Sequence, residues 1–105
     1  MITAIVRFKV PPGTPLDTMA DLFRGSAPKY VKLPGLVRKY YLYDAEGIGG
    51  GVYLWESRAA ADRVYTAQWR AMIAERYGAE PEITYYDTPV IVDNTAAEAI
   101  VDAAE

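Results

Sequence analysis

The chain has 105 residues, 51% of them hydrophobic and 24% charged, with a formal net charge of -3 and neither His nor Cys. That length gives one domain around one hydrophobic core, and the two missing side chains exclude thiolate nucleophiles, disulfides, Cys-ligated metals and His-ligated haem. The acidic balance argues against a nucleic-acid partner, because such binding needs Lys and Arg to neutralise phosphates.

The densest basic group, Lys29, Lys32, Arg38 and Lys39, is too sparse for a phosphate track and reads as a solvated rim. No apolar run approaches the roughly 20 residues that span a bilayer. Met1 leads straight into strand-like ITAIVRFKV rather than a charged leader, so no membrane contact and a cytoplasmic location are expected.

From Ile2 to Val10 the residues alternate, with Ile2, Ala4, Val6, Phe8 and Val10 on one apolar face, which predicts a strand. Pro11, Pro12 and Gly13 end it. Thr14 is placed to cap a following helix, with Pro15 at its first position and Asp17 in its first turn. Leu16, Met19, Ala20, Leu22 and Phe23 recur at helical spacing, and Gly25 and Pro28 should weaken or break that helix.

Leu36 to Tyr43 reads as a second strand, Asp44 to Gly47 as a turn, and Gly49 to Trp55 as a third strand returning antiparallel. Consecutive Gly49, Gly50 and Gly51 in a strand predict a bulge or a close backbone approach. They are not a phosphate loop, since no Lys with Ser or Thr follows and they lead into a strand. Ser57 should cap one helix running to about Tyr77, with Tyr65 and Trp69 on its buried stripe and Gly78 closing it. Glu82 to Val92 gives a fourth strand, kinked or placed at an edge by Pro89. The alanine-rich tail, residues 94–105, is expected either to fray or to form a short helix, with Ala97, Ile100 and Val101 docked on a partner.

This order is β-α-β-β-α-β, an α+β ferredoxin-like arrangement over residues 1–93 with both helices on one side of a four-stranded antiparallel sheet. The reverse face carries Ile5 and, by alternation, either Val37 with Tyr41 or Tyr40 with Leu42. Two copies packed sheet to sheet would cover it, giving a homodimer.

PGLVRKYYLYD (Pro34 to Asp44), GGGVYLWESRAAAD (Gly49 to Asp62) and the later Tyr65 and Trp69 carry a family likeness. The sequence resembles the small bacterial YdhR-like monooxygenases of the dimeric α+β-barrel superfamily, over nearly its whole length. That superfamily also holds isomerases, haem-degrading enzymes and decarboxylating relatives, so fold does not settle function. Its cofactor-independent quinone-forming members oxidise an electron-rich phenol that itself reduces dioxygen. By this resemblance the chain is expected to bind an aromatic or polyketide-like molecule in an apolar pocket between helices and sheet, without a cofactor. It would promote ionisation there and exclude water.

Tyr53 and Trp55 share a strand face, Tyr65 and Trp69 lie four apart, and Tyr40 and Tyr85 add aromatic surface, making these the candidate substrate contacts. Each competes with a plain core or interface role, which aromatic residues commonly fill. Arg38, on the face of Tyr40, is the candidate cation for a developing phenolate, against a reading as a rim charge or ion-pair partner. Asp87 is the candidate base, against turn chemistry before Thr88 and Pro89. Asp44, Glu56 and Asp62 are weaker carboxylate candidates. No clustered ligand set suggests a metal. Two other functions remain open on these residues: a non-catalytic small-molecule binder using the same cavity, and a dimerisation module whose cavity is filled by Trp55 and Trp69.

Overall fold

Strand β1 (Ile2–Lys9) turns its alternate side chains as expected, with Ile2, Ala4, Val6 and Phe8 buried. The computed structural model describes residues 1–95 and 98–101. Helix α1 (Leu16–Ser26) follows, then a 3-10 turn at Ala27–Lys29, strands β2 (Leu36–Asp44) and β3 (Ile48–Trp55), helices α2 (Arg58–Val64) and α3 (Ala67–Tyr77), and strand β4 (Glu82–Asp87). The four strands form one antiparallel sheet in the order β2-β3-β1-β4, so the βαββαβ α+β architecture read from the sequence is present.

Four local expectations change. Thr14 does not cap α1: its hydroxyl donates to the Pro11 carbonyl within the turn, and Pro15 occupies the N-cap without a side-chain bond. The single helix from Ser57 to Tyr77 is two helices. Thr66 breaks it because its hydroxyl accepts from Trp69 N at 3.2 Å, starting a new helix rather than continuing the old one. The fourth strand also divides at Pro89, which has no N–H for the ladder, and the chain resumes as β5 (Val90–Asp93). Where the tail was expected either to fray or to form a short helix, Glu98–Val101 forms strand β6, paired antiparallel with β5. Ala97 lies outside the described residues.

Register decides which tyrosine faces which way. Tyr41 pairs with Gly51 and Lys39 with Tyr53, which places Lys39, Tyr41 and Tyr43 on the helix side. Arg38, Tyr40 and Leu42 pair with Leu54, Val52 and Gly50 on the outer side, beside Ile5. The glycine run is a close approach rather than a bulge: a Cβ on Gly50 would lie 1.9 Å from the Val6 carbonyl oxygen. The irregularity falls instead between Leu36 and Arg38.

The core lies between the helices and the inner sheet face, where Trp55, Met19 and Val6 are the largest fully buried side chains. The outer face keeps Tyr40, Leu42 and Tyr86 exposed. Strand β5 borders that face, and Asp93 holds Arg38 there at 3.1 Å. No helix among the described residues is long and apolar enough to cross a membrane.

Candidate functional site

Alternation on β3 points Tyr53 and Trp55 into the core, and the break at Thr66 leaves Tyr65 at the end of α2 and Trp69 in the first turn of α3. Although not on one helix, Tyr65 and Trp69 still meet, with ring centres 4.7 Å apart. Their polar atoms are paired. Trp55 Nε1 donates to the Tyr65 hydroxyl at 3.1 Å, and Trp69 Nε1 donates to the Tyr30 hydroxyl at 3.1 Å. Tyr85 closes the cluster from β4, 6.2 Å from Tyr65.

Five of the six predicted substrate contacts, Tyr53, Trp55, Tyr65, Trp69 and Tyr85, therefore come together. All but Tyr85 are buried, and they pack as core. Burial pushes the Tyr53 and Tyr65 phenols far above the ordinary tyrosine range, so neither ionises near neutral pH. Tyr40 is absent from the group because it lies on the outer face, 55% exposed.

The predicted catalytic pair is separated from this cluster. Arg38 turns to the outer face, where Asp93 holds it and its guanidinium reaches the Tyr40 hydroxyl at 3.4 Å; the bond to Asp93, more than that to Tyr40, raises its pKa. Asp87 pairs in register with Ile2 at the exposed end of β4. It borders an open depression beside Arg58, whose guanidinium stacks 3.5 Å over Tyr85. Of the weaker candidates, Asp62 is paired with Arg58 and Asp44 accepts from Glu46 N, while Glu56 is exposed.

The residue that sequence reasoning missed is Lys39. Assigned to a solvated rim, it instead points inward, with Nζ 3.5 Å from the Tyr30 ring centre, 3.8 Å from Tyr41 and 4.4 Å from Tyr53. No carboxylate among the described residues is ion-paired with it. The ring faces favour the ammonium and loss of hydration disfavours it. Burial dominates and brings the amine down to about 7. The one available signal was its place in the alternation with Tyr41 and Tyr43, which becomes readable only once the register of β2 is known.

Lys39, Tyr30 and Tyr41 form a partition between two spaces. Outside lies an open groove of about 310 Å³ that also touches Val31, Leu36, Val37 and the predicted catalytic residue Arg38. Inside is a crevice of about 10 Å³, which also touches Ser26, Tyr53 and Arg76. That is room for a single water-sized guest. Trp55 and Trp69 pack as core, and one of several open grooves of ligand size lies on the far side of Lys39. This arrangement can hold a flat ring against Lys39 and Tyr30 and can accept one proton near neutral pH.

No protein-family model matches the sequence, and no curated protein matches it. Solved structures do resemble it. The NE2512 protein of unknown function from Nitrosomonas europaea matches at 16% identity with a TM-score of 0.65, over 83% of this chain and 87% of that one. SnoaB, a cofactor-independent oxygenase from Streptomyces nogalater, matches at 17% identity and a TM-score of 0.60, over 83% and 91% of the two chains. An antibiotic biosynthesis monooxygenase matches at 19% identity and a TM-score of 0.62, over 84% and 98%. At such identities the likeness is one of fold: the chain has the α+β fold of the antibiotic biosynthesis monooxygenases.

Proposed function

We propose that this protein is a cofactor-independent monooxygenase for an electron-rich aromatic, phenolic or polyketide-like molecule bound in the groove beside Lys39. The carrying observation is the Lys39 amine itself, caged by Tyr30, Tyr41 and Tyr53, brought to about 7 by burial and bordering a ligand-sized groove. A base of that pKa takes a phenolic or activated C–H proton without needing alkaline conditions. The ammonium it becomes then stabilises the resulting anion at short range. The fold shared with SnoaB supports this choice among the reactions such a groove allows.

In this reading Arg38 and Asp87 carry no chemical step. Arg38 borders the groove, but Asp93 holds its guanidinium on the outer sheet face, which covers itself by pairing with a second copy through Ile5, Tyr40, Leu42, Val52 and Leu54. Location in the cytoplasm and likeness to the YdhR-like group in particular belong to the same proposal. They rest on the sequence.

The test is oxygen uptake by purified protein with a panel of hydroquinones and anthrones. Acceleration over buffer that is lost in Lys39→Met supports the reading; no acceleration across the panel, or full activity in Lys39→Met, overturns it. The small volume of the inner crevice favours one second reading, a binder that holds an aromatic in the outer groove without converting it. Thermal stabilisation by the panel without turnover distinguishes that case.

A further inference from the structure

Lys9, Lys29 and Lys32 are exposed, whereas Lys39 turns its stem inward past Gly51 and sets its amine among the rings of Tyr30, Tyr41 and Tyr53. The charged and titratable groups around it include no acid. Tyr30, Tyr41 and Tyr53 touch the amine, Lys32 and Arg38 border the groove outside, and Arg76 and Tyr77 border the crevice behind. No carboxylate among the described residues lines either space. An ammonium here has no counterion, so the side chain gives up its proton and becomes a nucleophile.

Lys39 also borders space in which a partner for that nucleophile fits. The outer groove, about 310 Å³, is walled by Tyr30, Tyr41, Val31, Leu36 and Val37, an apolar lining suited to one aromatic ring. The crevice behind, about 10 Å³, admits no organic molecule, so the groove is the side of approach. We propose that Lys39 is a covalent carbonyl-binding site, its amine forming an imine with an aromatic aldehyde seated in the outer groove, and that the three tyrosine rings stabilise the protonated imine.

The step balances without an oxidant or a cofactor. The Lys39 nitrogen attacks the carbonyl carbon, a C–N bond forms, and the carbonyl oxygen takes up a proton to give a carbinolamine. Loss of water then breaks the C–O bond; the oxygen leaves with the two hydrogens the amine carried, and the C=N bond remains. A proton from solvent converts the imine to an iminium. That cation has one N–H where an ammonium has three, so it loses less hydration among the rings while their faces attract it in the same way. The inference uses the same amine as the oxygenase reading but needs no oxygen and stands without it.

The test treats the full chain at pH 7, under nitrogen, with benzaldehyde and sodium cyanoborohydride, which reduces each imine to a stable N-benzyl amine. Proteolysis and mass spectrometry then read Lys9, Lys29, Lys32, Lys39 and the amino terminus separately. With its amine brought to about 7, Lys39 is about half neutral at this pH, against roughly one in 2,500 for an ordinary lysine. Lys39 should therefore be labelled roughly tenfold or more faster than each of the other three lysines, with that preference lost in urea-unfolded chain. Equal labelling of all four lysines, or none at Lys39, overturns the site.

Two measurements test the groove. The labelling rate at Lys39 should saturate with benzaldehyde concentration, as binding before reaction requires; a strictly linear rise overturns seating in the groove. Val37→Trp, which fills the groove from an exposed position, should slow labelling of Lys39 severalfold and leave the other lysines unchanged, with amide dispersion as the check on folding. An unchanged Lys39 rate in the folded variant overturns the same claim, and saturation decides alone if the variant misfolds. A Lys39 adduct without oxygen uptake on the phenolic panel leaves this site standing while the oxygenase reading falls. Oxygen uptake that depends on Lys39, with no adduct, does the reverse.

Discussion

Lys39 Nζ stands 3.5 Å from the centre of the Tyr30 ring, so a side chain from β2 and one from the loop after α1 build a site that neither forms alone. With Tyr41 and Tyr53 closing the cage, the amine is held near neutrality by lost hydration rather than by a neighbouring charge.

This has a measurable effect on stability. Between about 7 and the unfolded value of 10.5 the unfolded chain binds a proton at Lys39 that the folded chain does not, so stability rises with pH across that window. The buried tyrosines act the other way. Tyr53, Tyr65 and Tyr41 are raised above 10.0, so the stability tied to their neutral forms is lost as pH climbs past that value. Urea midpoints should therefore climb from neutrality toward pH 10 and then fall. In Lys39→Met the climb should vanish while the fall remains.

The aromatic core depends on two indole donors, each with one phenolic acceptor. Tyr65→Phe removes the acceptor of Trp55 Nε1, whose residue has 0% exposure, and leaves a buried N–H unsatisfied. The expected loss is about 1–3 kcal/mol in a urea titration. Tyr30→Phe removes the acceptor of Trp69 Nε1 in a less buried place and should cost less.

Gly50→Ala would put a methyl 1.9 Å from the Val6 carbonyl oxygen, in backbone that cannot move without breaking the β1–β3 ladder. It should destabilise by more than about 3 kcal/mol, at the upper end of overpacking effects. Circular dichroism and the thermal midpoint check this. Gly13→Ala meets no atom within 4 Å but has a φ of +78°, so its smaller loss reflects backbone conformation alone.

Self-association is expected to follow the outer face. Tyr40→Asp and Leu54→Asp should lower the mass found by sedimentation while leaving each protomer folded, because both side chains lie on that face. Tyr41→Asp should act differently. Its ring stacks on Phe23 at 4.8 Å on the helix side, so the charge should unfold the chain rather than separate two copies. A mass unchanged by Tyr40→Asp and Leu54→Asp would place the contact elsewhere.

The sequence by itself determined the order of the four sheet strands and of the helical regions between them, and the buried face of β1, because Ile2, Ala4, Val6 and Phe8 alternate with residues the core would reject, such as Arg7 and Lys9. Hydrophobic period alone suffices there. It also brought out most of the aromatic cluster, since Tyr53 with Trp55, and Tyr65 with Trp69, keep their spacing through the break at Thr66.

Strand β2 was different. Both of its alternating sets contain tyrosine, so neither face was marked as inner by composition, and Lys39 looked like rim. Only the tertiary structure decided, through pairing with β3. A one-residue slip reverses every side chain on a strand, and the register that seats Tyr41 opposite Gly51 also turns Lys39 in and Arg38 out. A Cβ on Gly51 would lie 3.3 Å from the Tyr53 ring and 3.4 Å from Lys39 Cε, so the glycine leaves room for those two inner side chains. The amine's lowered pKa follows from burial by residues distant in the chain, a property no local pattern encodes.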